Sequence, residues 1–197
     1  DLTIQGVLLS HAHLDHSGYI SLLSPDIPVY TSLPSALISK AIQDCGISDF
    51  LSEIVYSKRK EILEDGLICS DKNYSNPSQQ RPYHVFTHQL LPESVRYFWN
   101  QAPGKRPLSP VSLIPILEEK VTIGNLPVRF WSVDHSIPGA GAFGINTPEG
   151  WVLYSGDLRM SGKQAKDTQR FTQEAGTLQL LLLIIEGTRA SLNTNRG

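Results

Sequence analysis

The sequence predicts an α/β fold, and three observations carry that expectation. Residues 4–45 read in the order strand, turn, helix, strand, helix. Strand–turn–strand pairs return after Lys120, and residues 178–185 form one continuous apolar run of strand length. The chain has 197 residues, 40% of them hydrophobic and 18% charged. At roughly 150 residues per domain, that is room for one large domain with a core of its own.

The first apolar run, 4–9, contains Gly6 and reads as a buried strand ending at Ser10. A polar cluster over 11–17 leads into Gly18 and a helix-like stretch to about residue 23. Pro25 and Pro28 stop that helix, and 29–31 is the next strand. Leu33, Leu37, Ile38, Ala41 and Ile42 have helical spacing, and Gly46 supplies a stop. The middle, 47–110, mixes a helical piece at 49–56, loop-like 71–82 and a helix over 93–100. It is expected to be a variable helical and loop region outside the core. Further on, 121–123 and 128–133 flank Gly124-Asn125 as a hairpin, and 142–146 and 151–154 flank a turn at 147–150. A helical patch over 166–175 follows. The run 178–185 then has the pattern of a strand buried on both faces.

Lys and Arg total 17 against 19 Asp and Glu, a formal charge of -2. A globally basic nucleic-acid coat is therefore excluded, although a local basic strip is not. The longest apolar run is far short of the roughly 20 residues that a membrane span needs, and the opening Asp-Leu-Thr-Ile-Gln-Gly lacks the charged-then-apolar pattern of a leader. Cys45 and Cys69 show no zinc-ligand spacing. They read as reduced thiols, which points to a cytoplasmic location (or a nuclear one in a eukaryote).

The segment that decides the chemistry is His11-Ala12-His13-Leu14-Asp15-His16. Three imidazoles and a carboxylate follow directly on a strand. At a strand end, His11 and His13 are two apart and project the same way, so both reach one metal. As the chain turns into a helix, Asp15 and His16 face a second metal. Imidazole nitrogen with carboxylate oxygen suits Zn2+, with Mn2+ or Fe2+ acceptable. A polar loop that merely caps a helix has no need of three histidines. Later strand ends offer the remaining donors: His135 after 128–133, and Asp157 after 151–154, where Gly156 permits a tight turn.

This pattern resembles the metallo-β-lactamase-fold hydrolases. The histidine loop matches their signature, His135 their next ligand and Asp157 the ligand that bridges two ions. The segments Asp134-His135-Ser136-Ile137-Pro138-Gly139-Ala140, Tyr154-Ser155-Gly156-Asp157-Leu158-Arg159 and Glu186-Gly187-Thr188-Arg189 are similar to the β-CASP branch, which includes ribonuclease J and the cleavage-and-polyadenylation endonucleases. The resemblance covers about 1–45 and 115–190. It implies an αββα sandwich, here partial, since only ten residues precede the histidine loop and no His follows His135. The N-terminal hairpin, the β-CASP cap and the second half of the core are expected to lie outside 1–197. Two zinc ions are expected in the complete protein, the second lacking one ligand in this chain.

The resemblance further implies a ribonuclease or phosphodiesterase of RNA processing, acting on RNA rather than DNA, in which water ionised between paired cations attacks phosphorus. Asp15 would ligate and orient, and Glu186 would buttress from outside. Ser136 and Gly139 would contact the phosphate, although Ser136 is equally well accounted for as a turn residue. A small-molecule hydrolase of the same fold, for a thioester or lactone, and a catalytically incomplete RNA-binding relative are the competing readings. The exposed strand surface of a partial core is expected to favour association. Lys58-Arg59-Lys60 and Lys163, Lys166 and Arg170 are more simply solvated surfaces than phosphate contacts. Likewise, His84 and His88 are more simply packing residues than a chelate.

Overall fold

The computed structural model describes residues 3–46, 50–58, 60–66, 68–70, 76–103 and 107–186. Two sheets carry the architecture. The first is wholly parallel, with β1 (Val7–Leu8), β2 (Val29–Ser32), β3 (Tyr83–Phe86) and β4 (Ile114–Ile116) side by side in that order. The second runs β5 (Lys120–Ile123), β6 (Leu126–Ser132), β7 (Gly141–Thr147), β8 (Gly150–Tyr154) and β9 (Leu180–Ile184). It is antiparallel as far as β8, and β9 is added in parallel. Between β1 and β2 the chain passes through a short helix α1 (Leu14–Ser17) and a 3-10 turn, Gly18–Leu22.

Alternation along the strands sorts the side chains into layers. Tyr30 and Phe86 of the first sheet meet Val128, Phe130 and Phe143 of the second, and the rings of Phe86 and Phe130 stack with centroids 4.7 Å apart. This is the inner core. Their strand neighbours Val29, Tyr83 and Val85 face the other way, in one cluster with Ala36 and Leu37 of α2 (Leu33–Cys45) and Trp99 of α3 (Glu93–Trp99). Behind the second sheet, Trp131, Ala142 and Leu153 pack on Phe171 and Ala175 of α4 (Ala165–Ala175). The order is helix, sheet, sheet, helix, and the expected αββα sandwich is borne out.

Local chemistry explains the start of α2. Ser32 Oγ accepts the Ser35 N–H at 3.2 Å, and Pro34 sits in the first turn, where its missing N–H costs nothing. The glycine at 46 closes the helix as expected. The two hairpins of the second sheet also form where their turn residues lie.

Three expectations are corrected. Among the described residues of the middle region the regular elements are six short strands, one 3-10 turn and α3, and one of the strands, β3, lies between β2 and β4 inside the first sheet. It is short and flanked by polar residues, so its periodicity was too brief to stand out. Smaller sheets flank it: Tyr56–Ser57 with Ser78–Gln80 and Leu108–Ser109, and Lys60–Ile62 with Ile68–Ser70. Of the helix expected at 49–56, the described part is only a 3-10 turn, Phe50–Ser52, followed by strand. The third correction concerns β9. Its residues are 42–56% exposed rather than buried on both faces, because β8 is its only strand neighbour among the described residues.

No helix among the described residues is long and apolar enough to cross a membrane. Cys45 is an exposed free thiol. The side chain of Cys69, the residue Arg59 and the run Gly187 to Arg189 lie outside the described residues.

Candidate metal centre

The donors predicted for the first ion sit past the C-terminal ends of strands, whereas Asp15 and His16 lie in α1. His11 and His13 follow β1, His135 follows β6 and Asp157 follows β8. The two sheets are tied together at this point, since the Gly141 N–H donates to Ser10 O at 2.9 Å. Gly156 has φ +55°, and a Cβ there would lie 2.6 Å from Ser10 Cβ, so only glycine lets the Asp157 loop close over the histidine loop.

One ligand atom from each of His11, His13, His135 and Asp157 lies within 4.8 Å of all the others. His11 Nε2 is 3.0 Å from His13 Nδ1, and His135 Nε2 is 3.4 Å from Asp157 Oδ2. The ring centroids of His11 and His135 are 4.8 Å apart. His11 and His13 are two apart in sequence and His135 and Asp157 lie far downstream, yet the structure brings all four together.

His11 is fully buried, and its pKa is pushed down from 6.5 to about 4. Loss of solvent is the main cause, followed by the nearby imidazoles of His16 and His135. The His135 pKa is also lowered, first by burial, with Asp157 opposing. His11 is therefore a neutral imidazole with a lone pair free to ligate at neutral pH.

The chemistry of the donor set fits a divalent cation. Asp157 Oδ1 is buried without a hydrogen-bond partner, although His16 Nε2 approaches to 3.3 Å. A buried carboxylate oxygen left unpaired is costly unless a cation compensates it. Three nitrogens and one oxygen at this separation are the donors that a tetrahedral zinc site uses.

On the other side of Asp157, His16 Nε2 stands 3.7 Å from Asp15 Oδ2. Asp15 itself is largely exposed, its side chain 79% accessible. His16 Nε2 thus approaches a carboxylate oxygen of each of Asp15 and Asp157. Ser136 is exposed, with Oγ 3.3 Å from His135 Nε2. Gly139 has φ +84°, and its carbonyl accepts hydrogen bonds from Ser32 Oγ and Ser35 Oγ at 2.6 and 2.9 Å. That contact locks the loop after His135 onto the start of α2. Glu186 is exposed two residues beyond β9, whose Ile184 O accepts the Ser155 N–H at 3.0 Å.

Sequence reasoning missed three supporting residues. Ser10 Oγ hydrogen-bonds His11 Nδ1 at 3.1 Å, and the Tyr154 hydroxyl meets His16 Nδ1 at the same distance. Both fix an imidazole from its far side. Asp134 is the third. All three immediately precede or lie within the motifs already singled out, and position next to a ligand was the available signal. Among the surface residues, Arg170 is committed to Glu119 and Glu174, and Lys60 to Glu53 and the Ser21 carbonyl. His84 lies in β3, with its ring stacked on Tyr30 at 4.6 Å, so it packs as expected.

An αββα sandwich with this cluster at its strand ends is the architecture of the metallo-β-lactamase fold. Within that class, the chain is similar to ribonuclease J of Pyrococcus abyssi, at 25% identity over 198 aligned residues covering 97% of this chain. A 37-residue stretch is 43% identical to ribonuclease J of Corynebacterium glutamicum, covering 19% of this chain and 5% of that protein. A crystal structure of a protein of unknown function from Enterococcus faecalis V583 superposes with a TM-score of 0.51 at 27% identity, covering 86% of this chain and 28% of the other. No protein-family model matches. The β-CASP-like resemblance is borne out by these relatives, and the chain spans 31% of the length of the Pyrococcus protein.

Proposed function

We propose that these residues form the metal-binding part of a zinc-dependent phosphodiesterase that cleaves RNA in the cytoplasm. The observation that carries the reading is the convergence of His11, His13, His135 and Asp157 from separate strand ends. Similarity to ribonuclease J supports RNA as the substrate.

When bound, a divalent cation supplies positive charge for a phosphoryl oxygen and acidifies water near neutral pH. The chain's own residues do the rest. His11, His13, His135 and Asp157 would hold the first ion, and Ser10 fixes the His11 ring for that purpose. Asp157 turns its other oxygen toward His16, so with His16 and Asp15 it begins a second cation position. Asp15, exposed at the mouth, orients the attacking water. Ser136 donates its hydroxyl to a phosphate oxygen beside His135, and Gly139 gives the loop the turn that presents it. Glu186 supports the Asp157 loop from the neighbouring strand end.

The test uses a full-length protein carrying these residues, its His13→Ala variant, labelled RNA and a panel of thioesters. RNA cleavage by the parent and its loss in the variant is the expected result. Thioester turnover without RNA cleavage would overturn the substrate class.

A further inference from the structure

Asp134 adjoins His135, yet its carboxylate is turned onto another loop. It is almost completely buried, at 1% exposure. Asp134 Oδ1 accepts from Arg159 Nε at 2.7 Å, and Oδ2 accepts from the Gln164 N–H at 2.7 Å. Its own backbone joins in: Asp134 O accepts the Arg159 N–H at 2.8 Å, and Asp134 N–H donates to Thr168 Oγ1 at 2.7 Å. All four bonds run to the segment that directly follows Asp157. That segment wraps so closely that a Cβ on Gly162 would overlap the Asp134 carboxylate.

We propose that Asp134 is a positioning residue that clamps the His135 loop to the Asp157 loop and so sets the separation of these two ligands. The proposal rests on the metal-binding reading above. A buried carboxylate is retained at a cost unless its oxygens are satisfied and paired. Here both oxygens are satisfied, and by donors from one segment only. A general core ion pair would not need to adjoin one ligand and reach three residues past the other. The 3.4 Å approach of His135 Nε2 to Asp157 Oδ2 is the product of that restraint. Groups that orient a ligand from outside typically cost 10- to 100-fold in metal affinity when removed.

The experiment measures zinc affinity by competition with a chromophoric chelator, in parallel with the melting temperature of the metal-free chain. The variants are Asp134→Ala, Asp134→Asn, Gly162→Ala and the control Trp99→Phe, which loosens α3 behind the first sheet, where Trp99 packs on Tyr83 and donates to the Val111 carbonyl. Asp134→Ala is expected to weaken zinc binding about 10- to 100-fold. Gly162→Ala, which keeps the carboxylate but pushes it aside, should reproduce much of that loss. Asp134→Asn keeps one acceptor and puts an N–H against a donor, so it should also weaken binding and shift the visible bands of the Co(II) form. Trp99→Phe should lower the melting temperature and leave zinc affinity unchanged. If Asp134→Ala does not fold, the Asn and Gly162 variants decide the matter.

Wild-type affinity in the Asp134 and Gly162 variants would overturn the clamp while leaving the metal reading intact. Equal loss of affinity in Trp99→Phe would also overturn it, because the effect would then follow general stability. A parent chain that takes up no zinc would overturn the metal reading and the clamp together.

Discussion

The two halves of the metal centre are assembled in opposite ways. The loop His11 to His16 carries four donors within six residues, and local geometry at the end of β1 sets their spacing. His135 and Asp157 stand on different strands of the second sheet, and their approach depends on turns, close backbone contacts and hydrogen bonds between loops. One half is written in adjacent residues. The other exists only once the sheets have packed, and each change below should strike one half harder than the other.

Removing a ligand is the largest perturbation. Asp157→Ala should reduce zinc affinity by more than the ~100-fold that outer partners cost, because it takes a donor from the first position and a carboxylate that faces both His16 and His135. Isothermal titration measures this, and binding within 10-fold of the parent would refute it.

Next in size is Gly139→Ala. The residue sits at φ +84°, and a Cβ would fall 2.5 Å from Ser32 Oγ and 2.8 Å from Pro34 Cβ. The strained backbone alone costs about 1–3 kcal/mol. The loop after His135 should lift off α2, lowering the urea midpoint, whereas Gly18→Ala in the other half meets nothing within 4 Å and should barely change it.

The pH dependence of the metal-free chain is a third test. His11 has a folded pKa of about 4, below its ordinary 6.5. The unfolded chain therefore binds the proton first as pH falls. The stability associated with a neutral His11 is fully present above 6.5 and is lost as pH falls toward 4. Thermal melts between pH 7 and 4 should show this decline, and His11→Gln should flatten it.

The smallest effect is expected from Tyr154→Phe. The hydroxyl hydrogen-bonds His16, so the first zinc equivalent should bind as in the parent, while any weaker second equivalent is lost. Metal analysis after dialysis distinguishes the two. The parent itself should retain one tight equivalent, the one that His11, His13, His135 and Asp157 would hold.

The same contrast explains what was legible in the sequence. Helix α2, the hairpins of the second sheet and the histidine loop were readable because their signals are local: helical spacing ending at Gly46, turn residues at 124–125, and three imidazoles after a strand. His135 and Asp157 were readable through position at strand ends and through resemblance. Strand β3 was not, since four residues between polar flanks carry little periodicity. The exposed state of β9 was also hidden, because an apolar run reports a preference for burial and not whether a neighbour is there to provide it. Ser10, Tyr154 and Asp134 act across loops, and nothing in a linear pattern names the partners they will find.

The most direct test of the account is a crystal of the zinc-loaded chain with anomalous diffraction recorded on both sides of the zinc edge. A peak in contact with His11, His13, His135 and Asp157 together is the expected result. A zinc peak held by other residues, with these four side chains turned apart, would contradict it.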